Sequence, residues 1–256
     1  MNVLVTGASS GFGRAIAERF ARAGHNVIAA ARRTQLLEQL QADAELDRLY
    51  VCTMDVTSID SIQSGLAAIP SSCLPISVLV NNAGLALGLE PAHETMLEQW
   101  KTMIETNCVG AATITRLLLP EMVKNKKGLI INMGSVAAIY PYPGSSVYGA
   151  SKAFLHQFTN NLRADLLGTG VRATTIAPGL CSGTEFSQVR FGGDVDRARA
   201  VYEGTQALTA NDIANVVYWV ATQPEHININ LLELMPTCQG FGPFSIHRGP
   251  SVNLNL

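Results

Sequence analysis

The chain has 256 residues, 47% of them hydrophobic and only 15% charged, which excludes a disordered chain and supports a large buried core. Its net charge is −2 with no basic block, which argues against a nucleic-acid partner, and no apolar run reaches the roughly 18 residues that a membrane helix needs. Five cysteines without a C-x-x-C pair and five histidines without an H-x-x-x-H pair point to reduced, mostly buried thiols, a cytoplasmic setting and no metal site.

The opening MNVLVTG enters a buried strand almost at residue 1 and has none of the features of a signal peptide. Short apolar runs at 2–6, 26–31, 49–54, 76–81, 129–134, 171–176 and 229–234 read as strands covered on both faces. Between them, helical patterns occupy 12–24, 34–46, 58–69, 94–124, 146–168 and 210–222. Pro120 is expected to bend or end a turn of the fourth helix, and Thr209 with Asp212 reads as a capping box for the last. The alternation predicts an α/β fold: one doubly wound Rossmann domain over 1–256, with a seven-stranded parallel sheet and helices on both faces. The polar stretch 182–208 interrupts the rhythm and is expected to be a lid or binding loop. The tail 236–256 reads as irregular.

The run TGASSGFG, at 6–13, follows the first strand and opens the first helix, with Gly7, Gly11 and Gly13 spaced T-G-x-x-x-G-x-G. A tight turn free of Cβ atoms lets helix N-terminal amides, here around Ser9, Ser10 and Phe12, approach a phosphate, so the loop predicts dinucleotide binding. At the end of the second strand a dinucleotide lacking a 2′-phosphate would call for an acidic residue. The chain has AAARR instead, and Arg32 and Arg33 suit a 2′-phosphate, so NADP(H) is expected over NAD. Asp55 and Val56 follow the third strand, either to contact an adenine edge or as a turn. In NNAG, at 81–84, the asparagines, Asn82 among them, brace neighbouring strands, and Ala83 and Gly84 let a cofactor lie close to the backbone.

Ser135 ends the fifth strand, where ligands of doubly wound sheets sit, and Tyr148 and Lys152 share a helix face one turn apart. An ordinary phenol is too weak an acid–base at neutral pH. An ammonium about 4 Å away, at an effective dielectric of about 20, is worth roughly 4 kcal/mol, or about 3 pKa units, which would bring Tyr148 near 7.

With these motifs the chain resembles the short-chain dehydrogenase/reductase family, and the likeness spans essentially the whole domain. The resemblance implies that Tyr148 is the general acid/base and that Ser135 holds the substrate oxygen. It implies that Lys152 binds the nicotinamide ribose and lowers the Tyr148 pKa, and that Asn107, in NCVG, positions a water in a proton relay. It further implies that Pro178, Gly179 and Thr184 orient the nicotinamide, although four residues separate Gly179 from Thr184 where three are commoner. Family members commonly pair helices into dimers, so a homotetramer built as a dimer of dimers is expected.

Within that family, NNAGLALGLEPAH, YPYPG, PGLCSGTEFSQVRF and NINLLELMP resemble bacterial NADP-dependent 3-hydroxy acid dehydrogenases and the related sulfoacetaldehyde reductases. The implied substrate is a short acidic aldehyde or keto acid, either sulfoacetaldehyde giving isethionate or malonic semialdehyde giving 3-hydroxypropionate. The alternative is a serine or allo-threonine type 3-hydroxy acid. Arg190 and Arg248 are candidate cations for the acidic group, and Tyr140 and Tyr142 candidate pocket walls. A non-catalytic NADP-sensing Rossmann protein and a nucleotide-sugar epimerase are competing classes. A sensor has no need of Tyr148 and Lys152, and an epimerase would need a larger substrate domain.

Overall fold

The computed structural model describes residues 1–43 and 48–242. Arg248 therefore lies outside the described residues, as does most of the tail. Seven parallel strands form one sheet in the order β3-β2-β1-β4-β5-β6-β7. They are β1 (Asn2–Thr6), β2 (Asn26–Ala31), β3 (Leu49–Thr53), β4 (Val78–Asn81), β5 (Gly128–Met133), β6 (Val171–Pro178) and β7 (Leu231–Leu234). The order reverses between β1 and β4, and at such a reversal the connections leave to opposite faces and open a crevice above the strand ends.

The first helices are α1 (Gly11–Arg22), α2 (Thr34–Asp43), α3 (Ile59–Ala67) and α4 (Leu97–Ile104). They are followed by α5 (Ala111–Lys124), α6 (Ser146–Asp165), α7 (Phe186–Arg190), α8 (Val195–Ala200) and α9 (Ala210–Ala221). Alternate strand residues feed two cores. Val3, Val5, Ala29 and Ile131 face Phe20 of α1, Leu37 of α2 and Val217 of α9. Leu4, Ile28 and Ile130 face Ile62 of α3, Ile114 of α5 and Leu162 of α6. This period-2 division explains why the strands read as continuous apolar runs.

The expected helix over 94–124 is three pieces: α4, a π-helical turn at Glu105–Gly110, and α5. α5 runs through Pro120 to Lys124, so the expected end at proline does not occur. The capping box is present: the Thr209 hydroxyl accepts from the Asp212 amide, and the Asp212 carboxylate accepts from the Thr209 amide. Region 182–208 carries α7 and α8 and is tied down by a bridge between Cys181 and Leu208. Cys52, Cys73 and Cys108 are buried as expected, but Cys238 is exposed and Cys181 half-buried. Among the described residues no helix is long and apolar enough to cross a membrane, and no three His, Cys, Asp or Glu side chains cluster as metal ligands would.

Candidate active site

A cleft of about 570 Å³ opens above the C-terminal ends of the strands. It takes in Gly7, Ser9, Ser10, Gly11 and Phe12 from the β1–α1 turn, Arg32 and Arg33 after β2, and Asp55 and Val56 after β3. Asn82, Ala83 and Gly84 follow β4, Ser135 follows β5, and Pro178, Gly179 and Thr184 close it from β6. Tyr142, Tyr148, Lys152 and Arg190 complete its walls. Residues far apart in sequence meet here because parallel strands all end on the same side.

Gly13 lies beneath the turn rather than on the cleft wall; a Cβ there would collide with the Gly7 carbonyl and the Asn82 side-chain amide. Gly11 has φ +54° and comes close to Thr184, so a side chain would be strained as well as crowded. Thr6 fastens β4 to this turn: its hydroxyl accepts from the amides of Asn82 and Ala83, each at 3.0 Å. Asn82 returns a bond to the Thr6 carbonyl at 2.9 Å. The Asp55 carboxylate accepts from the Thr57 amide and hydroxyl. Burial pushes that carboxyl up, but the two bonds and the Arg32 charge outweigh it and leave it below the usual range. The bonds to Thr57 are those of a turn residue, and Asp55 also lines the cleft.

Arg33 is heavily engaged. Its guanidinium donates to Ser9 Oγ, to Ser10 Oγ at 2.9 Å, and with two nitrogens to Glu185 at 3.1 and 2.6 Å. Nothing in the local sequence signals Glu185, which comes from the start of region 182–208, 152 positions away. Arg32 is exposed at the cleft.

At the other end, Ser135 caps the short 3-10 turn Val136–Ala138, its hydroxyl accepting from the Ala137 amide at 3.1 Å. It also faces the Tyr148 phenol and favours its ionised form. Lys152 is buried, as Tyr148 is. Its ammonium donates to the Met133 carbonyl at 2.8 Å and lies 5.8 Å from the centre of the Tyr148 ring. The expected phenol near 7 under Lys152 control is not what the geometry gives. Burial pushes Tyr148 up to about 12, opposed by the Ser135 hydroxyl and by the Arg190 charge. Tyr142 and Cys181 push it further up. Burial also pushes Lys152 down to about 8. The sequence-based figure treated the pair as partly solvated at about 4 Å, whereas desolvation is the larger effect in this enclosed site.

Asn107 sits in the π turn, fully buried and off the cleft wall. Its amide donates to the Leu85 carbonyl and to Ser151 Oγ, both at 2.9 Å, and its oxygen accepts from the Leu85 amide. Arg190 donates to the Tyr142 hydroxyl at 2.7 Å and to the Gly88 carbonyl at 3.3 Å. Tyr140 does not line the cleft; its ring packs on Phe241, with centres 4.9 Å apart. Phe186, not anticipated from sequence, packs on the Tyr148 ring at 5.6 Å. Gln239, from the tail, accepts from the Leu180 amide at 2.6 Å and also reaches the cleft.

A sequence model described as short chain dehydrogenase matches residues 1–192. The NADP-dependent 3-hydroxy acid dehydrogenase YdfG of Escherichia coli K12 is 51% identical over 248 residues, covering 97% of this chain and all of the relative. The serine 3-dehydrogenase of Agrobacterium fabrum is 50% identical over 246 residues, covering 96% and 98%. A solved closed form of serine dehydrogenase complexed with NADP+ superposes with a TM-score of 0.95 at 51% identity, covering 97% of this chain and 100% of that one.

Proposed function

This chain belongs to the short-chain dehydrogenase family, and on that premise we propose that it is an NADP(H)-dependent oxidoreductase of short 3-hydroxy acids of the serine type. The observation that carries this reading is one cleft with two chemically distinct ends. Tyr148, Ser135 and Arg190 stand at one end, and the glycine loop with Arg32 and Arg33 at the other.

The residues fit a dinucleotide. α1 has no acidic residue in its first turn, and its N-cap Ser10 makes no capping bond, so the first-turn amides are left for an anion. Crowding at Gly13 and the strained, tight position of Gly11 favour glycine at both, which keeps the backbone there open to a close approach. Arg32 and the preorganised Arg33 suit a 2′-phosphate. When bound, the nicotinamide exchanges hydride with the substrate carbon.

The chain's own residues handle the oxygen and its proton. Ser135 orients the substrate oxygen toward Tyr148. In oxidation the alcohol proton passes to the Tyr148 phenolate; in reduction the phenol returns it. Lys152 holds the ribose hydroxyls, and Pro178, Gly179 and Thr184 hold the nicotinamide. Asn107 braces the 85–88 loop and the start of α6, which keeps a water relay in line. The region 182–208 acts as a lid within a single domain, and Arg190 on it binds the substrate's acidic group, with Tyr142 as a wall.

The named relatives favour a 3-hydroxy acid over sulfoacetaldehyde, the first sequence expectation. Malonic semialdehyde and 3-hydroxypropionate remain within the class, since the latter is itself a 3-hydroxy acid. Pairing into a dimer of dimers is supported by exposed apolar residues on neighbouring helical segments: Ile104, Val109, Leu117 and Phe154. Light scattering at a monomer mass would remove that part.

The test is a panel of L-serine, L-allo-threonine and 3-hydroxypropionate with NADP+, and of malonic semialdehyde, sulfoacetaldehyde and a neutral aldehyde with NADPH. We expect the 3-hydroxy acids to turn over and Tyr148→Phe to bind NADPH while losing nearly all turnover. Turnover of sulfoacetaldehyde without any 3-hydroxy acid would overturn the substrate class. Arg190→Ala should raise KM for acidic substrates far more than for neutral ones.

A further inference from the structure

The chain returns to the cleft after β7. Beyond Tyr202, Gln239 is the one described residue that lines it. A turn sets its place: the Gln239 backbone amide donates to the Pro236 carbonyl at 2.9 Å. Its side-chain oxygen accepts from the Leu180 amide at 2.6 Å. A backbone N–H can only donate, so the oxygen of the Gln239 head must be the atom that faces Leu180.

This bond completes a ladder that has lost its strand. Pro178 pairs with Leu234, the last residue of β7, and the Gly179 amide donates to the Leu234 carbonyl at 2.8 Å. The next amide, that of Leu180, has no strand left beside it, and the Gln239 oxygen stands in for the missing carbonyl. On its other side the Leu180 carbonyl accepts from the Leu208 amide at 3.0 Å. Gly179 makes the substitution possible. A Cβ there would collide with the Gln239 oxygen and come within 3.0 Å of Met235. Its φ is not in the left-handed region, so packing rather than conformation calls for glycine.

The same tail segment touches two more parts of the cleft rim. The Cys238 thiol donates to the Gln206 carbonyl at 3.6 Å, near the end of region 182–208. The Phe241 ring packs on Tyr140 in the loop between β5 and α6. Gln239 is thus carried by a strap anchored on both sides of it.

We propose that Gln239 is a positioning residue for hydride transfer: by holding the Leu180 amide it fixes the Gly179–Leu180 backbone against which the nicotinamide is oriented. This rests on the role given above to Pro178, Gly179 and Thr184. A dinucleotide is anchored at its far end by the glycine loop and the arginines, so losing this tie frees the reacting end and spares most of the affinity. A misplacement of about 1 Å at a reacting centre can cost up to about a hundredfold in rate.

The experiment compares wild type, Gln239→Met, which keeps the length and removes the acceptor, and Gln239→Glu, which restores an oxygen. Three quantities are read: amide hydrogen exchange at Leu180 without cofactor, NADPH affinity with the emission anisotropy of the bound nicotinamide, and kcat for L-serine oxidation with NADP+. The added charge of Gln239→Glu bears on KM for an acidic substrate, so kcat is taken at saturation. In Gln239→Met we expect faster exchange at Leu180, lower nicotinamide anisotropy, a Kd for NADPH within about threefold of wild type and kcat reduced about tenfold. Gln239→Glu should recover most of all three losses. A merely structural role would lower the urea midpoint without separating Met from Glu in kcat. Faster exchange at Leu180 with kcat and anisotropy unchanged overturns the inference. So does a loss of NADPH affinity at unchanged kcat, or an equal loss of kcat in both variants while Gln239→Glu keeps Leu180 protected. If wild type binds NADPH but oxidises no 3-hydroxy acid, the substrate class is what fails, and anisotropy alone decides the role of Gln239. If it binds no NADPH, the proposed function and this inference fall together.

Discussion

Arg33 and Glu185 bind each other across the cleft at 3.1 and 2.6 Å, joining the end of β2 to the start of region 182–208. The same guanidinium is held by Ser9 and Ser10, so Arg33 is fixed from two sides before any phosphate reaches it. The hydrogen bond from Arg33 is the main reason the Glu185 carboxyl sits below its usual range. Both side chains are nearly half exposed, 48% and 44%, so solvent screening keeps the pair's worth to roughly 0.2–1 kcal/mol. We predict that Glu185→Gln weakens NADPH binding, by no more than about fivefold. The effect should shrink in high salt. Fluorescence titration of NADPH checks it, and tighter binding would instead mean that the carboxylate competes with the 2′-phosphate.

The turn between β1 and α1 has no tolerance for a methyl group at Gly13. A Cβ there meets the Gly7 carbonyl and the Asn82 amide, both of them anchored. Backbone must move to admit it, and overpacking of this kind costs about 1–3 kcal/mol. Gly13→Ala should therefore lower the urea midpoint and, by displacing the loop, weaken NADPH binding at least tenfold. Unchanged binding at reduced stability would show that the loop recovers its shape.

The sheet and its flanking helices were legible because burial on both faces leaves a simple apolar record. Strand ends shifted by one or two residues where pairing decided them: β6 continues to Pro178 because Pro178 still pairs with Leu234. The π turn was hidden, since one widened turn barely disturbs a 3.6-residue pattern over 94–124. The positions of Ser135, Tyr148 and Lys152 could be read from strand ends and helix spacing. Their electrostatics could not, because burial, not spacing, sets the larger effect. Arg33 was legible as a cation but its partner was not, since no local pattern connects residues on opposite sides of a cleft. Tyr140 and Tyr142 looked alike in YPYPG, yet only Tyr142 faces the cleft.

A buried polar ladder fastens the helices under the site. Asn81 donates to Thr115 of α5 at 2.9 Å and to Asn132 at 2.8 Å, and Asn132 donates to Thr159 of α6 at 2.8 Å. All four residues are almost completely buried. Asn132→Ala removes two of these bonds while Asn81 keeps its bond to Thr115 and Thr159 its bond to the Leu155 carbonyl, so the loss is roughly 0.5–1.5 kcal/mol for each bond. The urea midpoint should fall with the slope m unchanged. A loss under about 0.5 kcal/mol would mean that water enters and replaces the amide.

Lys152 should cost the fold stability at neutral pH. Burial lowers its pKa from 10.5 to about 8, so between those values the unfolded chain holds more of the proton than the folded one. Stability from this group therefore rises with pH across that window, and the full penalty is present below about 8. The difference corresponds to a penalty on the order of 3 kcal/mol, partly offset by the bond to the Met133 carbonyl. Lys152→Met should thus be more stable than wild type at pH 7, with the advantage shrinking steadily from pH 8 and vanishing near 10.5. Its NADPH binding should be weakened and its turnover lost. Paired urea titrations from pH 6 to 10.5 read the difference directly. A constant gap across that range would mean that the ammonium keeps its proton in the folded state, and that packing alone separates the two proteins.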